Sequence, residues 1–334
     1  MIQVSNLTKE FKIPTKQPSI WGSFQGLLHN TTLTKRVVNN INFTIEDGES
    51  VAYIGPNGAG KSTTIKMLTG ILKPTSGNIL VDGIDPQKER IKNAKHIGVV
   101  FGQRTSLWWD IPVEESFLLL KNIYEISDSI YQKNMDLFQL YFGLEEFIQR
   151  PPRTLSLGQR MRADLAAALL HSPSTLFLDE PTIGLDVETK DNMRTLIKKI
   201  NQEHGVTIVL TSHDLKDIED ICKRIIIIDN GDIICDKSIE QLFQEYSMER
   251  EIQITLKKSK NMCLDKLQKL PGITQLSLLD NFIVEIVFTQ SQYTAFDLVC
   301  QVNQIIPIKD FQIKEPDIKR LIQRILSIHK NNER

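Results

Sequence analysis

The sequence predicts an α/β protein with a mainly parallel sheet, followed by a small α+β domain. Two observations predict the sheet: strands alternate with helices after Thr175, and a glycine-rich loop, GPNGAGKST, joins a short apolar strand to a helix. The third observation is a change of pattern beyond about Tyr246, where charged and alternating segments indicate a separate domain. The 334 residues are enough for two modest domains.

The N-terminal region carries strand patterning on both sides of a less regular stretch. Residues 1 to about 12 and 37 to 54 predict strands, with a turn at Asp47 and Gly48. The insertion between them, from about 14 to 36, has apolar residues at the spacing of one helix face: Ile20, Trp21, Phe24, Leu27 and Leu28. Two interpretations stay open, a surface loop packed on its own domain and a segment that docks on a membrane partner.

The glycine-rich loop fits the pattern GxxxxGK[ST] of a phosphate-binding loop through Gly55, Gly60, Lys61 and Ser62. A strand precedes it and a helix from Lys61 to Gly70 follows it, so the loop lies at a helix N-terminus. Its glycines let backbone N–H groups surround phosphate oxygens, its lysine adds positive charge, and its hydroxyl reaches Mg²⁺. The loop residues expected to contact a nucleotide are Gly55, Pro56, Asn57, Gly58, Ala59, Gly60, Lys61, Ser62 and Thr63.

The later elements of the first domain follow in order. A hairpin-like piece from Gly77 to Gly83 and a strand from Ile97 to Phe101 precede a helical region from about Val113 to Phe147. Strands and helices then alternate in the segments TLFLDE, Val187 to about His204, VTIVLTSH, Leu215 to Cys222 and RIIIID. Asn230 and Gly231 predict a two-residue hairpin turn after the last of these strands.

Residues 246 to 334 predict the order βαββα with a further strand near Phe311. This order favours a ferredoxin-like α+β domain. The helices are expected from Leu264 to Leu270, from Tyr293 to about Ile305 and from Pro316 to about His329.

Polar residues at the ends of apolar strands complete the predicted chemistry. Asp179 and Glu180 end the strand TLFL at the carboxyl edge of the sheet, where open parallel sheets bind ligands. Asp179 is expected to hold Mg²⁺, and Glu180 to polarise a water that attacks the γ-phosphate. Gln103 offers its amide to the metal or to that water, and His213, in TSHD, is expected to bridge γ-phosphate and water. The histidines without a comparable setting, to which no role is assigned, are His29, His96, His171, His204 and His329.

Composition argues against several classes of protein. The net charge of −1 gives no reason to expect a nucleic-acid partner. None of the four cysteines, Cys222, Cys235, Cys263 and Cys300, forms a CxxC pair, which argues against a zinc or redox site. The start of the chain lacks the apolar core of a secretory signal, and no apolar run approaches the roughly 18 residues of a spanning helix. The chain is therefore expected not to cross a membrane by itself.

Over residues 1 to about 240 the chain resembles an ABC transporter nucleotide-binding domain. The resemblance rests on the order of GPNGAGKST, Gln103, LSLGQ (Leu155 to Gln159), LFLDEP, the turn from Gly184 to Asp186 and TSHD. It implies a P-loop NTPase fold with an N-terminal antiparallel β subdomain and a helical subdomain at about 110 to 170. It also implies that ATP, with Mg²⁺, lies between the phosphate loop of one chain and the LSLGQ segment of a second. The residues that it adds to the ATP contacts are Phe11 on adenine, Ser156, Gly158 and Gln159 across the interface, and Asp186 between the two sites.

Leu157 stands where most members of this family have a second glycine. With the segments GQRTSLWWDIPVEESF and FQIKEPDIKRLIQRIL, this departure resembles the ATPase subunits of viologen-exporter-like systems. Two alternatives stay open for Trp108 and Trp109: core packing between the two lobes of the domain, and docking of a helix from a membrane subunit.

These features predict an ATPase that energises transport, with export favoured, and whose catalytic residues are Lys61, Gln103, Glu180 and His213. A homodimer is expected, bound through a separate permease to the cytoplasmic face of the membrane. One alternative is an importer ATPase with a regulatory C-terminal domain, but such tails are more often β barrels. The other is a soluble ABC ATPase that acts outside transport, a class that usually carries two cassettes or a long coiled coil. A dimerisation role is favoured for residues 246 to 334.

Overall fold

The computed structural model describes residues 1–14, 32–102, 104–246, 249–257, 264–280, 282–289, 294–314 and 318–332. The chain divides into two compact units, Met1–Lys237 and Ser238–Arg334. The helix predicted within the insertion, and Gln103, lie outside the described residues. In the part that is described, no helix has both the length and the apolar character needed to span a bilayer.

A six-stranded sheet with the order β5-β6-β7-β3-β8-β9 organises the first unit. The neighbours from β5 to β8 pair in parallel. The strands are β3 (Ser50–Ile54), β5 (Ile97–Phe101), β6 (Thr175–Asp179), β7 (Thr207–Thr211), β8 (Arg224–Asp229) and β9 (Asp232–Ser238). The predicted hairpin turn is confirmed, because Asn230 and Gly231 both have positive φ, 48° and 91°. This sheet and the flanking helices confirm the predicted α/β class.

A three-stranded antiparallel sheet, β2-β1-β4, lies over the first helix. Its strands are β1 (Ile2–Pro14), β2 (Thr32–Ile45) and β4 (Ser76–Val81), and the helix is α1 (Lys61–Leu68). β2 begins at Thr32, earlier than the predicted boundary at 37, because Thr32 to Lys35 continue the pairing with β1. One buried core joins Ile2 and Phe43 of this sheet, Ile65 of α1, and Tyr53 and Phe177 of the parallel sheet. The phosphate loop is thus held between two sheets.

The helices of the first unit follow the predicted order with two differences. Besides α1, they are α2 (Arg90–His96), α3 (Val113–Ile123), α4 (Asp128–Phe142), α5 (Leu157–Leu169), α6 (Val187–His204) and α7 (Leu215–Ile221). The single helical region expected from Val113 to Phe147 is divided, because Glu125 has φ +54° and Ser127 caps a new helix by accepting from the Ile130 N–H. The short helix α2 was not predicted.

The second unit contains a four-stranded antiparallel sheet with the order β11-β12-β10-β13. Its strands are β10 (Glu249–Leu256), β11 (Ile273–Asp280), β12 (Ile283–Thr289) and β13 (Ile308–Lys314), and its helices are α8 (Ile239–Tyr246), α9 (Leu264–Leu267), α10 (Ala295–Ile305) and α11 (Ile318–Asn332). From β10 to β13 the chain follows βαββαβ, the split βαβ order. Ile252, Ile286 and Phe288 pack against Leu298 and Val302 of α10.

His171, to which the sequence assigns no role, is half-buried in the first unit. Its ring stacks on Tyr124 with centroids 4.1 Å apart, and its Nε2 lies 3.0 Å from the Ile97 carbonyl oxygen. Burial lowers the pKa of His171 from 6.5 to about 4, against the hydrogen bond to Ile97, which raises it. The imidazole is therefore neutral in the folded chain throughout the physiological range.

This burial predicts a loss of stability in mild acid. The unfolded chain binds a proton at His171 near pH 6.5 and the folded chain only near pH 4, so the free energy of unfolding falls as pH falls through that window. We expect about 2 kcal/mol of loss from this residue between pH 7.5 and pH 5, measured by urea denaturation. His171→Phe, which keeps the stack and cannot ionise, should lose less, whereas His204→Phe changes an exposed histidine and serves as the control. Equal acid sensitivity of His171→Phe and the unchanged chain would contradict the assignment.

Candidate active site

The phosphate loop lies between the end of β3 and the start of α1. A Cβ on Gly55 would lie 2.0 Å from the Ile228 carbonyl oxygen, and one on Gly60, where φ is +113°, would lie 2.7 Å from the Val37 oxygen. Only glycine fits either position without a shift of the backbone. Gly60 also caps α1 without a side-chain hydrogen bond, so the N–H groups of the first turn have no competing side-chain acceptor. The loop is therefore shaped to receive an anion.

Lys61 folds back over the loop that it follows. Its Nζ donates to the Gly55 oxygen at 2.6 Å and to the Pro56 oxygen at 3.0 Å. Burial lowers the pKa of the Lys61 ammonium, and the carboxylates of Glu180 and Asp179 act in the opposite direction. The lysine thus lies within electrostatic reach of both predicted acids.

Asp179 and Glu180 lie where β6 ends, next to the end of β7. Thr211 donates its hydroxyl to Asp179 Oδ1, and the Glu180 N–H donates to the Thr211 oxygen at 3.0 Å. Glu180 has φ +57°, an uncommon conformation for a residue with a side chain. Gly102 allows this turn to approach, because a Cβ there would lie 2.1 Å from the Glu180 oxygen. Such strain persists only where surrounding contacts fix it.

His213 is in contact with Glu180. Its Nε2 lies 3.4 Å from Glu180 Oε1, and its backbone N–H donates to Glu180 Oε2 at 3.3 Å. The imidazole is 56% exposed and the Glu180 carboxylate 22%. Both groups can therefore meet a ligand that enters from solvent.

One cavity of about 620 Å³ is lined by nine of the predicted site residues, six of them from the phosphate loop. The predicted residues that line it are Asn57, Gly58, Gly60, Lys61, Ser62, Thr63, Asp179, Glu180 and His213. Arg104 lines it too and was missed by the sequence interpretation. Its positive charge and its position directly after the predicted site residue Gln103 could have indicated it. Phe11, on β1, does not line this cavity; its ring is 38% exposed and lies 5.1 Å from Lys9 Nζ.

The LSLGQ segment forms the start of α5 and lines a cavity other than that of the phosphate loop. Ser156 caps the helix by accepting from the Gln159 N–H at 3.2 Å, and the Gln159 side chain accepts from the Ser156 N–H at 3.1 Å. Ser156, Gly158 and Gln159 line a cavity of about 420 Å³, in which none of the described phosphate-loop residues takes part. A single chain therefore does not bring its two motifs to one cavity.

Leu157 packs on the turn that follows Glu180. A Cβ built on Gly184, where φ is +74°, would lie 3.0 Å from Leu157 Cδ2. In the same turn Asp186 caps α6 by accepting from the Thr189 N–H at 2.9 Å and its hydroxyl at 2.7 Å. The methyl of Thr189 in turn lies 2.7 Å from where a Cβ on Gly158 would be. The leucine and the glycine of LSLGQ thus both contact the region of Asp186.

Trp108 and Trp109 are exposed, by 40% and 48%. The Trp108 N–H donates to Ser116 Oγ at 3.3 Å, and the Arg160 guanidinium lies 5.9 Å from the Trp109 ring centre. Neither ring is buried in the core of the unit. Of the two alternatives left open by the sequence, core packing does not describe this arrangement.

Comparison with known proteins identifies the family. The ABC transporter family model matches residues 38–183. The linearmycin resistance ATP-binding protein LnrL of Bacillus subtilis is 30% identical over 289 residues, which cover 86% of this chain and 92% of LnrL. The chain belongs to the ABC transporter ATP-binding proteins. The predicted family is therefore confirmed.

Other ABC relatives are of more than one kind. The energy-coupling factor transporter ATP-binding protein EcfA2 of Clostridium perfringens is 36% identical over 220 residues, covering 64% of this chain and 77% of EcfA2. Among solved structures, the dimeric post-hydrolysis state of the ATP-binding cassette MJ0796 bound to ADP and Pi has a TM-score of 0.59 at 27% identity and covers 72% of this chain and 99% of MJ0796. These findings confirm the P-loop ABC fold, and the protein is an ABC transporter ATPase that binds ATP.

Proposed function

We propose that this ATPase works as a head-to-tail homodimer that closes on two ATP molecules and drives a separate membrane permease, most consistently in export. The observation that carries the dimer is the separation of the two motifs, since the phosphate loop and LSLGQ line different cavities of one chain. An ATP held by both must therefore lie between two chains. The dimeric cassette MJ0796 supports this arrangement.

The residues of the phosphate-loop cavity bind different parts of ATP and its metal ion. Lys61 and the N–H groups at the start of α1 hold the β- and γ-phosphates, and Phe11, which lies on β1 outside this cavity, stacks on adenine. Ser62 and Asp179 line the same cavity and, with Gln103, offer the oxygen ligands that Mg²⁺ prefers. Bound Mg²⁺ neutralises charge that develops on the phosphates.

Glu180 is assigned as the general base and His213 as its partner at the γ-phosphate. The 3.4 Å separation of His213 Nε2 and Glu180 Oε1 leaves both groups able to contact one attacking water. From the second chain, Ser156 and Gly158 offer donors at the N-terminus of α5, and Asp186 lies in the turn between the two sites.

Export is favoured over the alternative by the extent of the similarity. The match to LnrL spans 289 residues, and because the first unit ends at Lys237, it extends into the second unit. The match to EcfA2 is higher in identity but spans 220 residues and does not require the second unit. The energy-coupling factor relatives keep uptake as the second candidate. In both, the permease holds the ATPase at the cytoplasmic face of the membrane.

Mixing two inactive variants tests the shared site. Lys61→Ala damages the phosphate loop and Ser156→Arg damages the LSLGQ segment, so each homodimer has one damaged half in every site, and we expect neither variant to hydrolyse ATP. A mixed dimer contains one site with both halves intact, so phosphate release should recover on mixing. The control is Lys61→Ala mixed with the double variant Lys61→Ala/Ser156→Arg, which can form no intact site. A first mixture that stays as inactive as the control would contradict the proposal.

A further inference from the structure

We propose that Asp217 is a positioning residue for ATP hydrolysis, because its one carboxylate joins the turn that carries Glu180 to the turn that carries His213. The inference rests on the proposed function of these two residues. Asp217 lies on α7 and is fully buried. It belongs to none of the motifs from which the nucleotide site was predicted.

The carboxylate accepts three hydrogen bonds from three different elements. Its Oδ2 accepts from the Thr182 hydroxyl at 2.5 Å and from the Ser212 hydroxyl at 2.6 Å. Its Oδ1 accepts from Arg194 Nε, on α6, at 2.6 Å. A single oxygen atom therefore holds both turns, so a displacement of one turn is transmitted to the other.

The two hydroxyls stand next to the reacting groups along the chain. Thr182 follows Glu180 by two positions, and Ser212 directly precedes His213. Thr182 is 2% exposed and Ser212 4%, so both hydroxyls depend on this buried carboxylate as their acceptor. The Ser212 hydroxyl also accepts from the Asp214 N–H at 3.0 Å, which fixes the turn on the other side of His213.

Arg194 balances the buried negative charge. Its side chain is 4% exposed and also pairs with Asp191 at 2.7 Å and with Asp214 at 3.0 Å. A buried carboxylate with a charged partner and hydrogen bonds to both oxygens is held in a single orientation. The same network holds Glu180 in its positive-φ conformation opposite His213, because the next turn of chain is fixed at Thr182.

Paired substitutions at Thr182 separate the hydroxyl from its packing. Thr182→Val keeps the shape and loses the hydroxyl, whereas Thr182→Ser keeps the hydroxyl and loses a methyl. We expect Thr182→Val to lower kcat by roughly ten- to a hundredfold with KM for ATP and ATP-driven dimerisation unchanged, since misplacement of reacting groups acts on turnover. Thr182→Ser should recover most of kcat. Ser212→Ala should repeat the loss seen with Thr182→Val, and provides the test if Thr182→Val does not fold.

The outcomes distinguish this inference from the proposed function. Unchanged kcat in Thr182→Val or in Ser212→Ala overturns the positioning role, and so does a loss in Thr182→Ser as large as that in Thr182→Val, since the methyl would then be responsible. Glu180→Gln is measured in parallel on the full chain. If Glu180→Gln is inactive while Thr182→Val is fully active, only the positioning role fails; if Glu180→Gln hydrolyses ATP normally, the assigned base fails.

Discussion

Glu180→Gln is expected to lower ATP turnover by about 10²- to 10⁴-fold, the contribution typical of a positioned general base. The amide has the size of the carboxylate and can still accept from the His213 N–H, now at 3.3 Å from Glu180 Oε2. It cannot take a proton from water. ATP binding and ATP-driven dimerisation should therefore persist while hydrolysis stops. Phosphate release measures the first effect, and size exclusion with and without ATP measures the second.

A matched control is Glu89→Gln, which removes an exposed carboxylate that lies outside the cavity and pairs with Lys92 at 3.2 Å. Its turnover should equal that of the unchanged chain. Normal hydrolysis by the Glu180→Gln variant would show that Glu180 is not the general base. Loss of dimerisation together with hydrolysis would show instead that the carboxylate supports the fold of the turn.

The fold class could be predicted because strand and helix lengths, glycine turns and apolar patterns are local properties of the sequence. The short helix α2 has no such pattern, since its apolar residue Ile91 is 79% exposed and the one buried residue of the helix is Asn93. The break between α3 and α4 was not predicted either. There the signal was present, as Ser127 and Asp128 make a helix start typical of a capped N-terminus.

The residues that line the phosphate-loop cavity could be predicted in large part because they lie at the end of a strand or the start of a helix within a short motif. Asp217 could not, because nothing in the segment DLKDIED distinguishes it from Asp220. In the structure Asp217 is fully buried beside Arg194, whereas the Asp220 carboxylate is 44% exposed and 4.0 Å from the same guanidinium. The difference depends on which face of α7 meets α6 and the two turns, and that is a property of packing.

Leu157 is a second residue whose contacts could not be predicted, although the sequence motif had distinguished it. The resemblance explains Leu157 as typical of one subgroup of the family, but it does not say which residues the leucine contacts. The structure adds one, because Leu157 covers Gly184 and so links the start of α5 to the turn before Asp186. Gly184 is required chiefly by its φ of +74°, and the leucine leaves little space beside it for a side chain.

Replacing Trp108 and Trp109 together with alanine is expected to abolish copurification of the membrane subunit. Exposed paired tryptophans are typical of interface hot spots, where each truncation costs about 2 kcal/mol or more, or roughly thirtyfold in affinity. The rings are 40% and 48% exposed, and the backbone that carries them is fixed by Ser116 and by the Arg153 N–H at 3.4 Å from the Trp109 oxygen. The chain would be coexpressed with a candidate polytopic permease and captured from detergent extracts.

The control separates partner docking from a general effect of exposed apolar surface. Ile91 and Ile123 are more exposed than either tryptophan, at 79% and 60%, and replacing both with alanine should leave copurification unchanged. The ATP turnover of the purified chain, without a membrane subunit, should be the same in both double variants, because none of the four side chains lines the phosphate-loop cavity. Retention of the partner by the tryptophan double variant would mean that the permease is held elsewhere. Loss of turnover in that variant would mean that the rings support the helical region around α3, where Ser116 accepts from the Trp108 backbone N–H.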